Sequence, residues 1–192
     1  RPFFDRVDQD TACSLLQAYA MNEADPLRYA QAVDLLAAEA TDQLLIELLR
    51  VDSQSLGGDP AGALAHLDRL MVEDDEPHRP SWLISRAIQL IHLQRDLEAA
   101  QVCLEEAWRL APELRENFER IQGALCILRG EHERGLELLE GPPSAFADLH
   151  RGYALRALDR EEEAVACFEA ARAGLPNVAQ LAEQALAAAP GA

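Results

Sequence analysis

Apolar residues return along this chain at the spacing of one helix face. Leu44, Leu45, Leu48 and Leu49 form one stripe, Leu64, Leu67, Leu70 and Met71 the next, and Ile84, Ala87, Ile88 and Ile91 a third. The i, i+3, i+4, i+7 pattern predicts amphipathic helices. No run alternates apolar and polar residues between hairpin turns, so the expected fold class is all-α. Breakers fall between the stripes. Gly57-Gly58-Asp59-Pro60 ends one helix and opens another, because Gly accepts the left-handed position after a helix, Asp caps and Pro suits a first turn. Arg129-Gly130 repeats the signal. The polar stretch Glu73–Pro80 and the connector Gly141-Pro142-Pro143-Ser144 separate further segments, with Pro80 opening a helix. The helices so delimited have about 12–15 residues, too short to be stable alone, so packing on neighbours must hold them.

A second periodicity overlies the first. Small residues stand at Ala30, Ala63, Ala100, Gly135 and Ala164. In four of the five segments a small or apolar residue follows seven positions later, at Ala37, Leu70, Ala107 and Ala171. The interval is about 29 to 37 residues, the range of stacked supersecondary units. The shortest interval precedes Ala164, where a truncated second helix is expected before Gly141.

The spacing resembles the tetratricopeptide repeat (TPR) family. Its 34-residue unit places small residues at positions 8, 20 and 27, large apolar ones at 4, 7, 11 and 24, and Pro at 32. Residues 145–177 carry Gly152, Ala164, Phe168, Ala171 and Pro176 at 8, 20, 24, 27 and 32, but Asp148 and Arg151 occupy positions 4 and 7. Residues 81–113 carry Ala87, Ile91, Ala100, Leu104, Ala107 and Pro112, with Ile88 in place of the small residue at 8. Residues 116–144 carry Gly123, Gly130, Gly135 and Leu139. Residues 44–77 carry Ala63, Leu67 and Leu70 but Val51 at 8, and residues 11–43 carry Ala18, Ala30 and Ala37 but Asp34 at 24. The resemblance implies one domain over 1–192. It would be a right-handed α-solenoid of about five TPR-like helix pairs, with Val178–Ala189 as a C-terminal capping helix that keeps the last apolar face from water.

In the resembled fold, positions 2, 5, 9 and 12 of each first helix line a concave groove. The candidate partner-binding residues are then Tyr19, Asp52, Trp82, Gln89, His92, Asn117, Arg120, Phe146, Tyr153 and Arg156, with Leu15, Leu45, Leu48, Ser85 and Leu149 among them. Aromatic residues and Arg dominate binding hot spots, and Asn can bond an extended peptide backbone. Arg120 and Arg156 would select a carboxylate; the competing reading pairs them with the chain's own Glu side chains. Ordinary packing between helices is the alternative for the whole set. Without Lys, the Lys-and-Asn clamp by which some TPR domains hold a chaperone C-terminus cannot form.

Charge narrows the partners. Thirty-four acidic residues face 17 basic ones, all Arg, for a net charge of −17. Such a surface repels phosphate backbones and anionic membranes, so no nucleic acid is expected. No apolar run reaches the roughly 18–20 residues of a spanning helix, so no membrane insertion is expected. The chain opens on Arg, as an excised or processed segment would. The expected compartment is cytoplasmic, or extracytoplasmic where a leader or anchor has been removed.

Chemistry has few footholds. Cys13, Cys103, Cys126 and Cys167 form no CxxC pair and read as reduced, small hydrophobes. No HExxH or phosphate loop occurs, Glu131-His132-Glu133 falls in a turn, and Glu161-Glu162-Glu163 suits a helix N-terminus. No cofactor, metal or enzymatic activity is expected. The leading expectation is a module that binds a protein or peptide. The second is an acidic TPR-type chaperone or assembly factor for a secreted or membrane-complex protein, self-associating through its apolar head Pro2-Phe3-Phe4 into a homodimer. The third is an enzyme or enzyme regulator whose catalytic domain lies outside this segment.

Overall fold

A computed structural model describes residues 26–37, 43–70, 78–141, 143–174 and 176–188. All regular structure among them is helical. In chain order the helices are α1 (Pro26–Ala37), α2 (Gln43–Leu56), α3 (Pro60–Leu70), α4 (Arg79–His92), α5 (Leu97–Leu110), α6 (Arg115–Leu128), α7 (His132–Leu138), α8 (Ala145–Ala157), α9 (Glu161–Arg172) and α10 (Pro176–Ala187), with a 3-10 turn at Pro112–Leu114. None of the described helices is long and apolar enough to cross a membrane. Tyr19, Cys13 and the Pro2-Phe3-Phe4 head lie outside the described residues.

The local signals account for the boundaries. α3 opens on Pro60, and the Asp59 carboxylate just before it accepts from Gly62 N–H at 2.9 Å. The Ser144 hydroxyl accepts from Ala147 N–H at 3.2 Å and caps α8. The turn after α6 takes Gly130 through φ +87°, a conformation that L side chains rarely adopt. Three Glu residues stand in the first turn of α9, where the helix dipole favours negative charge. α7 is only seven residues long, which accounts for the short interval before Ala164.

Each helix packs on its successor. Every second helix from α2 to α10 also meets the next of its kind: α2 meets α4, α4 meets α6, α6 meets α8 and α8 meets α10. The even-numbered helices therefore make one contiguous layer, called the inner layer below, and the odd-numbered ones pack against it as the outer layer. α10 also reaches back to α2, the first described helix of the inner layer.

The apolar core is divided in the same way. Tyr29, Val33 and Leu36 join α1 to Ile46 and Leu49 of α2. Leu48, Val51, Ala63, Leu67 and Trp82 join α2, α3 and α4. Ala87, Ile91, Ala100, Leu104, Phe118 and Leu125 join α4, α5 and α6. Leu149, Ala164, Phe168, Ala171, Val178 and Ala182 join α8, α9 and α10. Burying one large apolar side chain gives about 1.5–3 kcal/mol, so each short helix is held by its two neighbours more than by its own hydrogen bonds.

Small residues set the closest approaches. A Cβ on Gly152 of α8 would stand 2.5 Å from the Phe168 ring of α9. A Cβ on Gly123 of α6 would stand 2.9 Å from Leu139 and 3.1 Å from the Gly135 carbonyl oxygen. A Cβ on Gly135 would stand 2.3 Å from Ile127. These pairs join the two members of one hairpin each, where real side chains leave no space for a further methyl group.

Candidate functional site

The inner layer carries most of the candidate residues, because positions three and four apart on one helix share a face. On α2 the candidate is Asp52; on α4, Trp82, Ser85, Gln89 and His92; on α8, Phe146, Tyr153 and Arg156; Ser55 and His150 join them on the same helices. The structure sorts them into three arrangements. Tyr19 lies outside the described residues, as does the side chain of Asn117 on α6.

The first arrangement is a polar seam between α2 and α4. Ser55 Oγ donates to Gln89 Oε1 at 2.7 Å, and Ser85 Oγ donates to Asp52 Oδ1 at 3.3 Å. Gln89 and Ser55 are buried. Burial of the Asp52 carboxyl disfavours its charge and pushes its pKa up to about 7, against a smaller opposing effect of the Ser85 hydroxyl. Trp82 is 1% exposed and lies beneath this seam, against Leu48, Val51, Ala63 and Leu67. Its Nε1 is buried with no hydrogen-bond partner. Trp82 and Gln89 are therefore interior residues and present no open surface.

The second arrangement is a chain of rings. His92 of α4 meets Phe146 of α8 with centroids 5.8 Å apart. Phe146 meets His150 edge-on at 4.6 Å, His150 lies 6.1 Å from Tyr153, and Tyr153 meets Phe168 edge-on at 5.3 Å. The ring nitrogens of His92 and His150 are buried and have no partner. Burial pushes His92 down to about 4; burial first, then the neighbouring His92, pushes His150 down to about 3. Phe146 and Tyr153 are half-buried and form the accessible side of this chain. Burial also raises the Tyr153 phenol pKa, a little offset by Arg156.

The third arrangement concerns the two arginines. Arg156 is engaged within the chain. Its Nε and a terminal nitrogen donate to both carboxylate oxygens of Glu161, at 3.0 and 2.7 Å. Its other terminal nitrogen donates to the Ala185 carbonyl of α10 at 2.6 Å, and its guanidinium lies 4.8 Å over the Phe168 ring. It ties α8, α9 and α10 together. Arg120 is half-buried on α6 and makes no ion pair among the described residues. The two cations thus differ: one is held by Glu161 and the other makes no ion pair among the described residues.

His150 was not among the groove positions, yet it lies at the centre of the ring chain. Its signal is its spacing. Phe146, His150 and Tyr153 stand at i, i+4 and i+7, the same face of α8. Cys103 and Cys126 are free and buried, and Cys167 is free and half-buried. Among the described residues, no three His, Cys, Asp or Glu side chains gather as metal ligands would. No family model, curated protein or solved structure matches the chain.

Proposed function

We propose that this chain is a non-enzymatic, TPR-like helical-repeat module that binds a peptide or a partner helix along its inner layer. The observation that carries this reading is the half-buried aromatic face of Phe146 and Tyr153 on α8, in the layer that also holds the unpaired Arg120. Aromatic anchors and a cation in one layer suit a short segment that is apolar with one acidic group. The layered core and the glycine-spaced hairpins support the repeat architecture. The net charge of −17 supports a protein partner over a nucleic acid. Because Trp82, Gln89 and Arg156 are engaged internally, the proposed contact surface is narrower than the full register and centres on Arg120, Phe146 and Tyr153.

Capture of a partner from the source lysate tests this. Tyr153→Ala and Arg120→Ala should each weaken capture with the circular dichroism spectrum intact. Val165→Ala, on the outer layer, should not. Equal capture by all three variants would refute the reading.

A second reading, the acidic chaperone that self-associates at its N-terminal end, has its own support. Leu27 and Leu35 of α1 are 68% and 62% exposed. Exposed apolar side chains of this size mark association surfaces when they cluster. A dimer by light scattering that dissociates in Leu27→Asp/Leu35→Asp would favour it; a monomer at all concentrations would exclude it.

A further inference from the structure

We propose that the His92–Phe146–His150 junction is an acid-released latch that holds the inner layer closed. α4 and α8 are separated in the layer by α6, which meets both. They nevertheless touch directly, through the His92 and Phe146 rings at 5.8 Å. His150 then meets the same phenyl ring edge-on at 4.6 Å. His150 is 2% exposed, and neither imidazole has a hydrogen-bond partner on either nitrogen.

A neutral imidazole is tolerated in such a place, at the cost of unmet hydrogen bonds. An imidazolium is not, because it adds a full charge and a second N–H donor where no acceptor waits. The second proton would also arrive beside the first charge. The charged neighbours offer no relief. On α8, Asp148 and Arg151 pair with each other at 3.1 Å, and Arg156 is paired with Glu161 of α9. On α4, Arg79 is held by Glu106 and Arg86 by Asp68. α6 carries Glu119 and the cation Arg120, and neither bonds to a ring. Tyr153 adjoins His150 as a neutral phenol. Burial accordingly holds both imidazoles far below the ordinary histidine range.

Protonation therefore favours any state in which the rings reach water, and the contact to be broken is the one between α8 and α4. Opening there would free Phe146 from its contact with His92. This concerns the face proposed above for a partner. Its test reads hydrogen exchange and not capture, so either proposal can fail alone.

The experiment is hydrogen exchange by mass spectrometry on the whole chain at pH 6.5 and pH 4.5, corrected for the intrinsic rate. Protection of Ala145–Ala157 should fall by at least about tenfold at the lower pH, while Leu97–Leu110 keeps its protection. In His92→Phe/His150→Phe the fall should disappear. Unchanged protection in the wild type, equal loss in both segments, or the same loss in the double variant would overturn the latch. Should that variant not fold, NMR of the histidine rings in the intact protein decides. Both buried rings should stay neutral from pH 7 to below pH 5, and either one titrating near 6.5 would overturn it.

Discussion

Replacing Asp52 by Asn should stabilise the protein, and only where the wild-type carboxyl would be charged. The native pKa is about 7 and the ordinary value 3.8, so the folded chain holds its proton more tightly than the unfolded one. Below pH 3.8 both states are protonated and the group is neutral to stability. As pH rises from 3.8 to 7, the unfolded chain releases the proton and the folded chain does not, so stability is lost across that window. At 1.36 kcal/mol per pKa unit, the full loss above pH 7 has a ceiling of about 4 kcal/mol. Asn keeps an oxygen for the Ser85 hydroxyl and has no charge to bury. Urea denaturation of both proteins at pH 5 and pH 8 isolates the effect, because His92 and His150 contribute equally to each. Asp52→Asn should gain about 3 kcal/mol more at pH 8 than at pH 5. A difference that does not change with pH, or a variant less stable than wild type at pH 8, would refute the argument that burial of this carboxyl governs its proton.

Four further outcomes follow from the packing. Gly152→Ala drives a methyl group into the Phe168 ring and should cost about 1–3 kcal/mol in thermal unfolding, with partial rescue by Phe168→Leu. Trp82→Phe should cost less than about 1.5 kcal/mol, since the indole nitrogen has no partner to lose, whereas Trp82→Ala should cost about 3–5 kcal/mol. Arg156→Ala removes the Glu161 pair, the Ala185 carbonyl bond and the Phe168 contact together. Hydrogen exchange in α10 should rise more than in α5, and Arg156→Lys should restore only part of the protection. Ser144→Ala should cost about 1 kcal/mol through the lost cap of α8.

The helical class and most helix starts were legible because they depend on local chemistry. Pro60, Ser144, Gly130 and the acidic opening of α9 act within one turn of themselves. A small residue at Gly152 was legible at repeat spacing, but that the Phe168 ring is what closes on it is seen only in the packed pair. What the register did not disclose is how far each face is covered. It put Trp82 and Gln89 on a surface, but α2 and α4 lie close enough for Ser55 to reach Gln89 and for the indole to enter the layer beneath. That separation depends on side-chain volumes in two helices at once, which a single-helix pattern does not contain. For Arg156 the sequence offers both an open groove and the chain's own acids. The tight turn at Asp159, with φ +58°, brings Glu161 back to it, and that turn has no Gly to announce it. His150 stands four residues after Phe146 and three before Tyr153, so its place in the ring chain depends on the shared face of α8 and not on a histidine motif.

The most direct test of the central claim places a photo-cross-linking residue at Tyr153 in the source cells. A binding inner layer predicts a discrete protein adduct at position 153 that is absent when the same group stands at Val165. No adduct at 153, or the same adduct from both positions, would contradict it.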